Sequence, residues 1–125
     1  MGTARAAWAD TRRVAVVGPC ASGKTTLVEG LRRLGYDAAA CGQEHSQIPT
    51  LWRHGRPDVL IALTVDLATV RHRRGAAWPE AIFRAQQRRL ASAVAAADVV
   101  VDTSDIDVET VLRRAADALS RTRAR

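Results

Sequence analysis

Hydrophobic residues form two alternating patterns along this chain. Short, largely apolar runs cover residues 13–17, 36–41, 59–65 and 99–101, and such runs are typical of buried strands. Over residues 24–34, 67–73, 79–97 and the stretch after Asp107, apolar residues instead recur every three or four positions, as on one face of a helix. The alternation predicts an α/β fold, with a parallel sheet of about four strands flanked by helices and joined by right-handed crossovers.

Several residues mark where these helices begin and end. Gly35 is expected to cap the first helix at its C-terminus, and Pro79 stands at the first position of the long helix. Asp107 is expected to cap the last helix, with Ile106 and Val111 at the positions of a hydrophobic staple. On the first and last helices, the residues predicted to face the core are Leu27, Val28, Leu31, Leu34, Val108, Val111, Leu112, Ala115, Ala116 and Leu119.

Two segments lack either pattern. Residues 1–12 are expected to be a flexible lead-in to a single domain over residues 13–121. Residues 42–57 show no clean period and are predicted to be a loop with one helical turn. Loops of this length inside a small domain are usually functional or mobile.

Composition narrows the class of protein. The 125 residues are 47% hydrophobic, which suffices for one core, and carry a net charge of +6. A basic chain suits anionic ligands such as nucleotides. Nucleic acid is disfavoured as a partner because the arginines are scattered and no aromatic residues are interleaved with them. Two cysteines, no apolar leader and no run near the ~20 apolar residues of a membrane span predict a cytoplasmic protein with free thiols.

The most specific motif lies between the first strand and the first helix. Gly18 is followed, after four residues, by Gly23, Lys24 and Thr25, which is the pattern G-x-x-x-x-G-K-[ST] of a phosphate-binding loop. In such a loop the backbone N–H groups surround phosphate, the lysine contacts the outer phosphates and the hydroxyl ligates Mg²⁺. Lys24 is the only lysine beside eighteen arginines. The residues expected to bind nucleotide here are Gly18, Pro19, Cys20, Ala21, Ser22, Gly23, Lys24, Thr25 and Thr26.

Three stretches together resemble the P-loop kinases of nucleotides, the thymidylate, cytidylate and adenylate kinases. They are GPCASGKTT, RPDVLIALTVD and ADVVVDTSDIDVETVLRRAADAL. The resemblance implies the three-layer P-loop NTPase fold, ATP rather than GTP as the nucleotide, and Mg²⁺. It also implies lid arginines at Arg71, Arg73 and Arg74, and a purine near residues 103–106, including Thr103. The chain departs from these kinases in its shortened acceptor region, where about 24 residues separate Leu34 from Val59.

Three carboxylates compete for the metal. If the second strand lies beside the first, Glu44 would come close to the phosphate-binding loop, where it could hold Mg²⁺ through water, act as a general base, or simply be a solvated loop residue. Asp66 and Asp102 also end predicted strands, and a helix cap is an equally good interpretation of Asp66. Together with Thr25, Glu44 is the predicted metal ligand.

Other polar and aromatic residues leave alternatives open. His45 beside Glu44 and Ser46 could suggest a triad, but a loop histidine or an acceptor contact is favoured. Cys20 and Cys41 are expected to be packed thiols rather than a redox switch. Trp52 and Trp78 could stack on a base or pack at the rim of the cleft.

The function favoured by these residues is phosphoryl transfer from ATP·Mg²⁺ to a nucleotide, a nucleoside or another small molecule. Lys24, Arg71, Arg74 and Glu44 are the predicted catalytic residues. The alternative is a nucleotide-binding module or regulatory NTPase without such an acceptor. A signalling GTPase is disfavoured, since its guanine-recognition motif needs a second lysine. A homodimer would allow a partner subunit to complete the acceptor site.

Overall fold

A computed structural model describes residues 10–122 and confirms the alternation of strands and helices. In chain order the elements are β1 (Asp10–Val17), α1 (Lys24–Arg33), β2 (Tyr36–Ala40), β3 (Val59–Thr64), α2 (Leu67–Arg74), α3 (Glu80–Ala96), β4 (Val99–Asp102) and α4 (Val108–Arg121). Two short 3₁₀ turns, Gln43–His45 and Leu51–Gly55, lie between β2 and β3. The sequence predicted only one helical turn in this segment.

The four strands form one parallel sheet in the order β2-β1-β3-β4. Val14 of β1 pairs with Ala38 of β2 on one side and with Val59 of β3 on the other. The strand that carries the glycine-rich motif is therefore central, and both of its neighbours end at the same edge of the sheet. The predicted four-stranded parallel α/β architecture is confirmed.

Helices cover both faces of the sheet. On one face, Leu31 of α1 and Leu119 of α4 pack against Val16 and Ile61. On the other, Leu90 of α3 packs against Leu60 and the other residues of that face. The five residues from Val59 to Leu63 alternate between these two cores and are all buried, which explains their continuous apolar run. Full burial of each valine, leucine or isoleucine side chain among them contributes roughly 1.5–3 kcal/mol.

The first strand begins three residues earlier than predicted. Asp10 accepts hydrogen bonds from the Arg12 guanidinium, which also donates to the carbonyl oxygen of Leu119 in α4. The side-chain hydrogen bond from Arg12 lowers the pKa of Asp10. Residues 10–12 are part of the sheet because Asp10 pairs with Tyr36 of β2. The rest of the predicted lead-in, residues 1–9, lies outside the described residues, as do residues 123–125.

Two residues predicted to be in the core are exposed. Leu34 is 51% exposed because α1 ends at Arg33 and Gly35, with φ of 96°, turns the chain toward β2. Val108 is 58% exposed because it is the first residue of α4, above the core. The predicted cap of α4 is confirmed, since Asp107 accepts a hydrogen bond of 2.7 Å from the Thr110 N–H.

Candidate functional site

A cleft of about 840 Å³ opens at the carboxyl edge of the sheet. In open parallel sheets, ligands bind at this edge because loops and helix N-termini converge there. The cleft is lined by the loop after β1, the segment after β2, the C-terminal end of α2 and the loop before α4. It thus brings together most residues that the sequence marked for function.

The loop after β1, residues 18–23, is named here the glycine-rich loop. Its residues 19–23 form one wall of the cleft, whereas Gly18, also predicted to bind nucleotide, does not line it. Gly18 lies so close to β3 that an added Cβ would stand 3.1 Å from the Leu63 Cβ and 2.6 Å from the Ser22 Oγ. Gly23 has φ of 90°, in the left-handed region, and directly precedes α1. The loop therefore needs glycine at both ends, for space at Gly18 and for backbone geometry at Gly23.

The N-terminus of α1 faces the cleft without a side-chain cap. Asp66 caps α2 and Asp107 caps α4, whereas Gly23 offers α1 no side chain and its first turn contains no acidic residue. The Ser22 hydroxyl is also buried without a partner among the described residues. An uncapped N-terminus carries partial positive charge and unsatisfied N–H donors, both of which attract anions.

Lys24 and Glu44 meet inside the cleft. Because β2 pairs directly with β1, the first 3₁₀ turn places Glu44 beside the glycine-rich loop, as the sequence argument required. The Lys24 ammonium donates to Glu44 Oε2, and their side chains are only 13% and 5% exposed. Glu44 Oε1 is buried without a partner among the described residues. The pair places one cation and one partly unsatisfied carboxylate where the loop meets α1.

The other two candidate carboxylates serve local structure. Asp66 accepts a hydrogen bond of 2.7 Å from the Thr69 N–H, and hydrogen bonding by Thr69 lowers its pKa. Asp102 accepts one of 2.9 Å from the Ser104 N–H. Neither lines the cleft. The cap interpretation of Asp66 is confirmed, and Glu44 is the one of the three candidates that reaches the cleft.

The lid arginines diverge. Arg73 donates to the carbonyl oxygens of Ala21 (2.6 Å) and Thr103 (2.8 Å), so it bridges the glycine-rich loop and the loop after β4. Arg74 lines the cleft with its guanidinium 5.8 Å from the centre of the Trp78 ring. Arg71 instead donates to the Trp78 carbonyl oxygen and does not line the cleft. The structure therefore places Arg73 and Arg74, but not Arg71, at the site.

A scan against models of known protein families found no match to this chain, and a search of curated proteins found no relative. Within residues 10–122, no helix combines the length and the apolar character needed to cross a membrane. The residues of the cleft are therefore the basis on which a function can be proposed.

Two buried glutamines support the site, and the sequence did not predict this role for either of them. Gln86 accepts the Cys20 N–H at 2.9 Å and donates to the Cys20 sulfur at 3.2 Å, which ties the glycine-rich loop to α3. Gln43, fully buried, donates to the Ile48 carbonyl oxygen and accepts the Trp52 N–H. One signal existed for Gln86: its spacing from Phe83 places a polar residue on the apolar face of α3.

The remaining candidates are placed as follows. Thr25 and Thr26 line the cleft and are exposed. Thr103 also lines it, but is buried, with its hydroxyl donating to the Thr64 carbonyl oxygen. His45 lies at the rim, with Nε2 3.5 Å from Glu44 Oε2.

No triad or disulfide is assembled among these residues. The Ser46 hydroxyl accepts the Ile48 N–H, outside the cleft. Cys20 and Cys41 are both free thiols that line the cleft, and burial raises the pKa of Cys41. Trp52 and Trp78 pack in apolar clusters and do not line the cleft, which favours the packing interpretation over base stacking.

Proposed function

We propose that the cleft binds ATP with Mg²⁺ and that the chain is a small P-loop phosphotransferase acting on a nucleotide, a nucleoside or another small molecule. The observation that carries the proposal is the position of Lys24. It lies in the first turn of an uncapped helix, directly after a glycine-rich loop, and is paired with a buried carboxylate from the neighbouring strand end. This combination suits a triphosphate and its metal better than it suits a structural ion pair.

The phosphate chain would lie along the glycine-rich loop. The first N–H groups of α1 would donate to phosphate oxygens, and Lys24 would exchange its bond to Glu44 for one to the outer phosphates. The partial charge at the helix N-terminus adds to the attraction. Gln86 holds the Cys20 N–H in place, so the loop is preorganised before the nucleotide arrives.

The same exchange would free Glu44 for the metal or for a proton. Thr25 offers a hydroxyl and Glu44 a carboxylate at the metal position, which are the hard oxygen ligands that Mg²⁺ prefers. Bound Mg²⁺ would neutralise charge on the β- and γ-phosphates. Alternatively, Glu44 would accept the proton of the acceptor hydroxyl as that oxygen bonds to phosphorus and the bond from phosphorus to the ADP oxygen breaks.

The opposite end of the cleft supports binding of a nucleoside. Thr103, Ile106 and Val108 line the cleft from the loop after β4 and the start of α4. The exposed side chain of Val108 gives this end an apolar surface that a base could cover. Arg73 and Arg74 would contact phosphate oxygens from α2.

A second function, a nucleotide-regulated module without a small-molecule acceptor, is favoured by one observation. Gln43 fastens the segment after β2 to α3, since its amide also lies 3.3 Å from the Arg89 carbonyl oxygen. Of residues 42–57, only Gly42, Glu44 and His45 line the cleft. This leaves few residues to bind an acceptor unless a partner subunit in a homodimer supplies them.

Calorimetry of the full chain with ATP and GTP, with and without Mg²⁺, tests the proposal. We expect Mg²⁺-dependent binding of ATP, abolished by Lys24→Ala and retained in Arg84→Ala, which removes an exposed arginine paired to Glu80 on α3. Products formed with a panel of nucleosides and nucleotides then separate the two functions. A phosphorylated acceptor supports the transferase, and free phosphate alone supports the module. Absence of binding to both nucleotides would contradict the proposal.

A further inference from the structure

Three side chains of different chemistry converge at the cleft beside Lys24. Cys20, Glu44 and His45 each offer one ligand atom, and these atoms all lie within 4.8 Å of one another. Cys20 belongs to the glycine-rich loop, whereas Glu44 and His45 belong to the first 3₁₀ turn. Thiolate, carboxylate and imidazole are the ligands of zinc, and the set is too soft for Mg²⁺.

The spacing is close to that of a bound metal. Tetrahedral zinc, with bonds of about 2.0–2.3 Å, separates its ligand atoms by roughly 3.3–3.8 Å. Glu44 Oε2, the oxygen that Lys24 contacts, and the His45 Nε2 are already 3.5 Å apart. His45 is free to close the remaining gap because its side chain is 65% exposed.

A second observation points to a cation at this place. Glu44 is buried with one carboxylate oxygen, Oε1, lacking a partner among the described residues, and an unpaired buried acceptor is costly. The Gln86 amide donates to the Cys20 sulfur at 3.2 Å, as ligand-orienting groups do around metals.

We propose that Cys20, Glu44 and His45 form a binding site for a zinc-class divalent cation, in which the metal displaces Lys24 from Glu44. The cation bonds to the Cys20 sulfur, and the thiol proton passes to solvent. Water from the open cleft fills the fourth position. Since Lys24 and the metal compete for one carboxylate, removing the Lys24 ammonium strengthens metal binding.

This site has a regulatory consequence that rests on the proposed function. A cation held by Cys20 and Glu44 occupies the mouth of the glycine-rich loop and keeps Glu44 from serving Mg²⁺. Zinc bound there excludes ATP·Mg²⁺, so the metal inhibits the enzyme by competition with nucleotide.

Titration of the metal-free full chain with Co²⁺ tests the site, because a cobalt–thiolate bond absorbs in the near ultraviolet. We expect one equivalent of Co²⁺ to produce this band and Zn²⁺ to remove it by displacing cobalt. Cys20→Ser abolishes the band, whereas Cys41→Ser, which alters the other thiol lining the cleft, retains it. His45→Ala, at an exposed side chain, weakens Co²⁺ binding by at least about tenfold, the smaller end of the effect of losing even a supporting residue.

Lys24→Ala gives the decisive contrast. It is expected to tighten Co²⁺ binding by at least about tenfold, since a unit charge within a few ångströms of the metal is removed. A missing band in the wild-type chain, or a band lost in Cys41→Ser and kept in Cys20→Ser, would overturn the site. Unaltered or weaker Co²⁺ affinity in Lys24→Ala would overturn the competition between Lys24 and the metal for Glu44. Failure of ATP to bind, with the cobalt band present, would count against the proposed function alone.

Discussion

Lys24 and Glu44 stand twenty positions apart in the chain, yet their side chains form an ion pair where β1 and β2 end side by side. The two residues differ in their access to water. The Lys24 ammonium has a flexible stem that can reach the open cleft, whereas the Glu44 carboxylate is enclosed on a short turn. Removing the Lys24 side chain should therefore change the free energy of unfolding by a different amount from removing the charge of Glu44.

We expect Lys24→Ala to lower the free energy of unfolding by about 1–3 kcal/mol at pH 7, because it leaves a buried carboxylate unpaired. This is less than the roughly 3–5 kcal/mol for fully enclosed pairs, since water can enter the cleft. Glu44→Gln should cost less than Lys24→Ala, and the double variant should recover part of the loss. Urea denaturation measures all three. Arg84→Ala, from an exposed pair, should stay within about 0.5 kcal/mol. Equal losses in the two single variants would contradict the asymmetry.

Alanine substitutions of the two glycines that begin and end the glycine-rich loop should destabilise the fold for different reasons. Gly18→Ala drives a Cβ into the Ser22 hydroxyl and against the Leu63 backbone, and should destabilise the fold by about 1–3 kcal/mol. In Gly23→Ala the added Cβ contacts no atom, but the alanine is forced to adopt φ of 90°, which should destabilise the fold by about 1–2 kcal/mol. Gly55→Ala, with open space and no positive φ, is the matched control and should change stability by less than about 0.5 kcal/mol. Thermal denaturation compares them, and a neutral Gly18→Ala would show that the loop does not press on β3.

The order of elements could be predicted because burial leaves a direct trace in the sequence. β3 is apolar throughout since both of its faces are covered, and Asp107 precedes its helix because its side chain accepts a hydrogen bond from one of the first N–H groups. Leu34 shows the limit of periodicity. It continues the spacing of Leu27 and Leu31, but the helix ends before it, and the pattern contains no information on that ending beyond Gly35.

In the candidate site, contiguous motifs and residues at strand ends could be predicted, whereas contacts between side chains far apart in the chain were missed. The glycine-rich loop is contiguous, so its residues could be named in advance. Gln86 accepts a hydrogen bond from the Cys20 N–H although the two residues are 66 positions apart, and the sequence around either residue does not indicate this contact. The positions of the three lid arginines could not be predicted for a different reason. Arg71 and Arg74 share a helix face beside Trp78, whereas Arg73 points toward the loop, a distinction that composition cannot make.

Gln43 should be more important for stability than its place in an irregular segment suggests. Gln43→Leu removes the amide that accepts the Trp52 N–H and donates to the Ile48 carbonyl oxygen. It should lower the free energy of unfolding by about 2–4 kcal/mol. Gln47→Leu, at an exposed position four residues later, should be nearly neutral. Denaturation with urea measures the difference, and hydrogen exchange should show faster opening of residues 42–57 in Gln43→Leu. Matching behaviour of the two variants would mean that Gln43 does not hold the segment.

Acid should weaken the cap of α4. Hydrogen bonding by the Thr110 side chain and backbone N–H lowers the pKa of Asp107, so the carboxylate form stabilises the fold. That stabilisation is complete above the usual aspartate value of 3.8 and is lost as the pH falls through the lowered pKa of the folded state. Asp107→Asn keeps a cap that does not titrate, so its melting temperature should fall less between pH 7 and pH 2 than that of the wild-type chain. Asp117→Asn, an exposed change on the same helix, is the control. An unchanged pH dependence in Asp107→Asn would argue against a role for this carboxylate.

The three arginines of α2 should separate by kinetics if the chain transfers phosphate. Arg73→Ala unties Ala21 from Thr103, and should raise the KM for ATP by loosening both walls of the nucleotide site. Arg74→Ala should lower kcat more than it changes KM, by at least about tenfold, still short of the roughly 10³-fold or more of a fully engaged arginine finger. Arg71→Ala should change neither by much, because its guanidinium contacts Trp78 away from the cleft. Steady-state rates for the three variants, with Arg84→Ala as a charge-matched control, test this order. An Arg71→Ala defect as large as that of Arg74→Ala would mean that α2 closes over the nucleotide in a different orientation from the one in the free chain.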